Sequence, residues 1–190
     1  GGYDVTKIPE IKYGLPCSKL LKMFLILTFR SCDKIIAVSK HTKNEVMMNL
    51  GIREEKVEVV YHGFERLPKI YIDKHQDNIV TVSNVDEDHF KLKGLNTFLN
   101  VSKRFPNLQF IIIGKIDLQF AIQHNLNEYE NVIFLRQMPQ DLLFEYFLKS
   151  KIYMQLSYQE SFGCSLAEAM LCGCVPVVTN MGAIHEVVGN

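Results

Sequence analysis

Glu160 and Glu168 bracket seven residues, Ser161-Phe162-Gly163-Cys164-Ser165-Leu166-Ala167. The Ser-Phe-Gly turn opens what reads as a helix, and backbone amides at a helix N-terminus attract anions. A carboxylate on either side accepts hydrogen bonds from hydroxyls. Phosphate binding beside sugar-hydroxyl binding is therefore the chemistry this segment suits. Taken without its surroundings, such a glutamate pair would be an ordinary solvated pair. The surroundings decide, because the segment lies between two apolar runs, Ile152 to Leu156 and Val175 to Val178.

Those runs belong to a series. Lys34–Val38, Val57–Val60, Ile79–Val82, Phe110–Ile113 and Val132–Phe134 are also short, apolar and rich in β-branched residues. Continuous rather than alternating apolar runs predict strands covered on both faces. Helical patterns lie between them. Gly94–Phe105 sets Leu95, Phe98, Leu99 and Val101 on one side, Gln140–Lys149 carries Leu142, Leu143, Tyr146 and Phe147, and Ser39 caps a helix over 41–50 that Gly51 ends. Alternating strands and helices predict an α/β fold with a doubly wound, mainly parallel sheet. The polar stretch around Pro68 has no helical period and reads as a linker. The expected organisation is residues 1–66 as one partial α/β domain, a linker over 67–78, and a second domain over 79–190. Two strands before the linker and a last helix that starts near Ala183 predict a chain cut at both ends.

The bulk properties narrow the class. The chain has 190 residues, is 47% apolar and 22% charged, and carries no formal net charge. That suits a packed globular core and argues against nucleic-acid binding. Charge is uneven, however: up to residue 50 eight basic residues face four acidic ones, and thirteen face seventeen afterwards. The apolar stretch from Lys19 to Arg30 within the basic part could touch an anionic membrane from its inner face, or be a solvated helix face. Its core, Met23–Phe29, is far below the roughly 20 residues of a membrane span. Cys17, Cys32, Cys164, Cys172 and Cys174 fit neither a disulfide framework nor metal spacing. Buried thiols in a reducing, cytoplasmic compartment are the expectation, with no metal and no cofactor. Ile112-Ile113-Gly114-Lys115 lacks the rest of a Walker loop, and no GxGxxG, GxSxG or HExxH is present.

The sequence from Glu160 to Gly163, together with Glu168-Ala169-Met170, Gly173-Cys174-Val175-Pro176-Val177-Val178 and Gly182-Ala183, resembles the donor-binding domain of retaining GT-B glycosyltransferases of the group 1, family 4 type. Cys32 to Ser39 and Val59-Val60-Tyr61-His62-Gly63 resemble the end of that family's N-terminal domain. Lys93-Gly94 and Ile111–Gly114 resemble the first βαβ unit of its donor domain. The resemblance implies transfer of a hexose from a nucleotide diphosphate-sugar to an acceptor alcohol on a glycan or lipid-linked precursor, with retention of configuration. It implies Glu160 and Lys93 as the catalytic pair. Glu160, Ser161, Phe162 and Gly163 would hold the donor sugar, and Glu168 the ribose. Lys93, Lys91, Asn84, Cys164 and Ser165 would meet the diphosphate, and Arg136, Gln137 and Met138 the base. In this family the departing phosphate helps to deprotonate the acceptor on the same face. A two-carboxylate glycosidase is set aside, because both glutamates fall in a nucleotide-site pattern.

The chain departs from the family at one place. Ser83-Asn84 stands where an arginine is usual, and Val85 to Phe90 is expected to lengthen the loop before the lysine, with Lys91 either substituting for Lys93 or supplying the second positive charge. His62 reads as a turn histidine that could border the cleft. Two other readings compete: a non-catalytic nucleotide-sugar binding module, and a peripheral membrane protein built on Lys19–Arg30.

Overall fold

The computed structural model describes residues 2–9, 13–65 and 76–189, and those residues form two compact units. Residue 66 and residues 67–75 of the expected linker lie outside the described residues. The units are not contiguous in sequence: segments 159–163 and 181–190 group with residues 1–63, and the second unit comprises 64–158 and 164–180.

In the first unit, α1 (Lys19–Ser31) leads to β1 (Ile35–Ala37), α2 (Lys40–Leu50) and β2 (Val57–Val59). β1 and β2 pair in parallel, with Ile35 opposite Val57 and Ala37 opposite Val59. Ser39 caps α2 by accepting from the Thr42 amide, and Gly51 ends the helix by donating to Met47. Val5, Ile35, Ala37, Val46, Leu50, Ile52 and Val57 form the core, against which Leu25, Ile26 and Phe29 of α1 pack. The expectation of a doubly covered strand fails for β1. Ile36 is 68% exposed, because helices cover only one face of this two-stranded sheet.

The second unit is the doubly wound sheet. It contains β3 (Gln76–Val82), α3 (Glu87–Leu92), α4 (Leu95–Arg104), β4 (Gln109–Gly114), α5 (Leu118–Gln123), β5 (Val132–Arg136), α6 (Gln140–Lys149), β6 (Ser150–Gln155), α7 (Cys164–Leu171) and β7 (Val175–Val178). All five strands are parallel in the order β5-β4-β3-β6-β7. The chain therefore builds outward from β3 on one side, then crosses back to its other side through α6. Ligand crevices of such sheets lie at the carboxyl ends of the strands flanking that reversal, here β3 and β6.

β3 starts at Gln76, so residues 76–78 are strand and not linker. Polar residues enter the ladder because both neighbours pair with them, Asn78 with Gln109 and Gln76 with Ser150. Central strands are covered on both faces. Phe110 and Ile112 pack with α4 residues Leu95, Phe98 and Leu99, while Ile111 and Ile113 are buried on the opposite face. Each such side chain contributes about 1.5–3 kcal/mol on burial. β7 is an edge, with Val175 and Val177 exposed, and it tolerates Pro176, which has no amide to donate. α8 (Ile184–Val188) belongs to the first unit.

Candidate functional site

The segment Gln159–Gly163 is held from both ends within the first unit. Gln159 Nε2 donates to Glu45 Oε2 (3.0 Å) and Thr6 Oγ1 (3.2 Å) and lies 2.8 Å from His41 Nε2. The Glu45 carboxylate also accepts from Thr6 Oγ1 at 2.8 Å. Burial pushes the Glu45 carboxyl above the usual carboxylate range, against the lowering effects of Thr6 and His41. The Ser161 carbonyl accepts from Thr42 Oγ1 at 3.1 Å. Phe162 is buried, with its ring near Tyr61 and edge-on to His62 at 5.1 Å. His62 is thus an exposed residue in irregular backbone, where a turn was expected, and its ring packs against Phe162.

The Glu160 carbonyl accepts from the Ala183 amide at 2.9 Å. Gly182 has φ +60°, and a Cβ there would sit 2.6 Å from the Glu160 nitrogen. That close approach lets the backbone of 181–183 pass directly over Glu160. Burial raises the Tyr13 hydroxyl pKa, and the negative charge of Glu160 raises it further. Glu186 closes the arrangement. Its carboxylate accepts from the amides of Lys40 and His41, both at 2.8 Å, and from Tyr61 Oη at 3.0 Å.

The remaining candidate residues lie in the second unit. Cys164 and Ser165 form the first turn of α7, where amides lack intrahelical acceptors. Glu168 is the fifth residue of α7, just over one turn in. It accepts from Gln140 Nε2 at 2.6 Å. Burial pushes the Glu168 carboxyl up despite that hydrogen bond. Gln140 opens α6 after Arg136, Gln137, Met138 and the N-cap Pro139, so the segment expected to meet the base leads to the hydrogen-bond partner of the residue expected to meet the ribose. Sequence reasoning missed Gln140. Its only signal was the first helical position after Pro139.

Lys93 ends α3, and Gly94 follows at φ +65°. A Cβ on Gly94 would fall 2.2 Å from the Leu156 carbonyl, and Tyr158 donates to the Leu92 carbonyl at 2.9 Å. The Leu92–Gly94 turn is therefore pinned to the segment leaving β6, at the crevice end of the sheet. The loop expected over Val85–Phe90 is mostly the helix α3, because Asp86 caps it by accepting from the His89 amide. That helix turns Lys91 outward into an ion pair with Glu87, 3.4 Å away and two-thirds exposed. Asn84 Oδ1 accepts from the Lys115 amide at 3.1 Å and so fixes the turn after β3. Lys91 and Asn84 thus have structural partners where a diphosphate role was expected. Among the described residues no group of three or more His, Cys, Asp or Glu side chains could hold a metal ion.

The sequence profile of the family described as Glycosyl transferases group 1 matches residues 64–190, and that of Glycosyltransferase Family 4 matches residues 9–66. An uncharacterized 41.2 kDa protein in the cps region of Klebsiella pneumoniae is 29% identical, over 85% of this chain and 46% of its own length. The O-antigen chain mannosyltransferase RfbU of Salmonella typhimurium is 22% identical, over 89% of this chain and 48% of its own. The crystal structure of Anabaena HepE in complex with UDP and glucose superposes with a TM-score of 0.73 at 21% identity, covering 91% of this chain and 52% of that one. At that identity the likeness is one of fold. The chain spans about half the length of the relatives it matches.

Proposed function

The chain belongs to the glycosyl transferases group 1 family, and from that premise we propose that it carries the donor site of a retaining transferase that moves a hexose from a nucleotide diphosphate-sugar to an acceptor alcohol. The observation that carries this reading is the pair of environments around the two glutamates. Glu168, half-buried on α7 and hydrogen-bonded to Gln140, is disposed as a ribose acceptor beside the strand end that would meet the base. The Glu160–Gly163 segment, fixed by Gln159, Thr42 and Ala183, is rigid enough to hold sugar hydroxyls.

In this reading the diphosphate meets the first amides of α7 and the Lys93 ammonium. These stabilise the charge that develops on the leaving phosphate, and no metal is needed. Glu160 binds the sugar and steadies its reacting centre. The departing phosphate then takes the acceptor proton on the same face, which retains configuration. The acceptor is a glycan or lipid-linked alcohol, and the protein works on the cytoplasmic side with α1 in peripheral contact with the membrane. No described helix is long and apolar enough to cross one.

Calorimetry with UDP, GDP and ADP in EDTA tests the reading. Saturable binding of one nucleoside diphosphate without metal is the expected result. Binding that requires added magnesium or manganese, or no binding to any of the three, sinks it.

A further inference from the structure

Glu160 stands between two residues that α2 holds. Before it, Gln159 Nε2 donates to Glu45 Oε2 at 3.0 Å. After it, the Ser161 carbonyl accepts from Thr42 Oγ1 at 3.1 Å. Positions 41, 45 and 49 repeat every fourth residue and share one face of α2 with position 42. Glu45 is the centre of that face. Its Oε2 also accepts from Thr6 Oγ1 at 2.8 Å, and His41 Nε2 lies 3.6 Å away. Asn49 Nδ2 donates to the Val5 carbonyl at 2.8 Å, so the same face fixes the stretch of chain that carries Thr6.

Packing alone does not explain a carboxylate at this position. The Glu45 side chain is only 13% exposed, and Thr6 is fully buried. Taking an ionised carboxylate out of water is costly, and a matched apolar contact would join α2 to residues 5 and 6 at least as well. What an apolar side chain cannot supply is an acceptor for Gln159. The Gln159 amide nitrogen has two hydrogens and faces three acceptors: Thr6 Oγ1 at 3.2 Å, His41 Nε2 at 2.8 Å and Glu45 Oε2. The charged oxygen is the strongest of the three, so it decides how the amide is turned. Residues 159–163 lie in no helix or strand, and their backbone depends on such side-chain anchors.

We propose that Glu45 is a positioning residue of the donor-sugar site: through Gln159 its carboxylate sets where Glu160 stands, and so how tightly the sugar of the donor, but not its nucleotide, is held. The inference rests on the donor-site reading above, in which Glu160 binds the sugar. The lever is short. Gln159 and Glu160 are adjacent, so a turn of the Gln159 side chain carries the Glu160 backbone with it, and a misplacement of about 1 Å is enough to spoil a positioned contact. The Ala183 amide holds the Glu160 carbonyl at 2.9 Å, and Thr42 holds that of Ser161. Both anchors lie on the far side of the peptide bond between Gln159 and Glu160. Within the first unit the near side is fixed by the Gln159 side chain, and Glu45 is its charged partner.

Calorimetry on the 190-residue chain tests the proposal, with UDP, GDP and ADP compared against their glucose, mannose and N-acetylglucosamine derivatives. Urea unfolding curves accompany each variant. Glu45→Leu should lose about tenfold in affinity for the nucleotide-sugar and less than about twofold for the free nucleotide. Glu45→Gln keeps the shape and one acceptor, and should lose about threefold with the same selectivity. Gln159→Glu sets two carboxylates face to face and should cost about tenfold for the nucleotide-sugar. Combined with Glu45→Gln it again places a donor opposite an acceptor, and affinity should return to within about threefold of the parent. Selective loss with recovery on swapping separates a positioning role from support of the fold. Equal losses for nucleotide and nucleotide-sugar, no loss in the folded Glu45 variants, or a double variant no better than Gln159→Glu alone overturns the role of Glu45 while the donor-site reading stands. A parent chain that binds no nucleoside diphosphate, or binds one but none of its sugar derivatives, overturns the donor-site reading and this inference with it.

Discussion

Removing the Glu186 carboxylate should loosen the first unit measurably. α2 begins with four amides that lack intrahelical acceptors. Ser39 Oγ takes that of Thr42, and Glu186, distant in sequence, takes those of Lys40 and His41. Glu186→Ala leaves both amides, and Tyr61 Oη, without this partner. A cap is typically worth about 1 kcal/mol, and a hydrogen bond to a charged group about 1.5–3 kcal/mol. The Lys40 and Tyr61 ends are exposed, so water replaces part of the loss. We expect destabilisation of about 2 kcal/mol for Glu186→Ala and about half that for Glu186→Gln, which keeps one acceptor.

The same substitution has a pH signature. Burial alone would raise the Glu186 pKa, but the amides of His41 and Lys40 and the Tyr61 hydroxyl outweigh it and hold the carboxyl below its ordinary value of 4.5. The folded state therefore binds fewer protons, and this stabilisation is present above the ordinary value and lost as pH falls through the folded one. Urea unfolding followed by circular dichroism, from neutral pH down to acid, is the assay. The gap between parent and Glu186→Gln should be full at neutral pH and close on acidification. A gap that is absent at neutral pH, or constant into acid, would refute the reasoning.

Other outcomes follow from the same geometry. Glu168→Ala should weaken UDP binding by about 1.5–3 kcal/mol, while Glu160→Ala should spare UDP and weaken a UDP-sugar by a similar amount; calorimetry showing equal losses with both ligands would reverse the assignment. Gln140→Ala removes the hydrogen bond that lowers the Glu168 pKa, so UDP affinity should fall by about 1 kcal/mol, and titrations across pH should show the variant losing affinity at a higher pH than the parent as acid is added. Gly94→Ala and Gly182→Ala place a side chain at positive φ, at about 1–2 kcal/mol each before any clash. Unfolding curves should show both variants destabilised, and Gly182→Ala should also weaken UDP-sugar binding because it displaces Glu160.

The residue pattern alone determined much of this protein. The seven strands among the described residues stand where the β-branched runs lie, since β-branched residues favour the extended backbone and the central strands, buried on both faces, must be apolar. The Ser39 cap and the Gly51 stop of α2 were equally legible, because caps depend on residues within one turn. The two glutamates announced themselves by spacing along a single segment. Tertiary structure decided what depends on distant partners. β3 extends back to Gln76 because β4 and β6 offer hydrogen bonds there, and Ile36 stays exposed because its sheet has only two strands. Helix α3 replaces the expected loop through a single local cap, a signal hidden in a polar stretch that has no apolar period. Gln140, Gln159 and Glu186 matter only through contacts 28 to 153 residues away in sequence. A side chain's hydrogen-bond partner is set by where the chain returns, and no local pattern encodes that return.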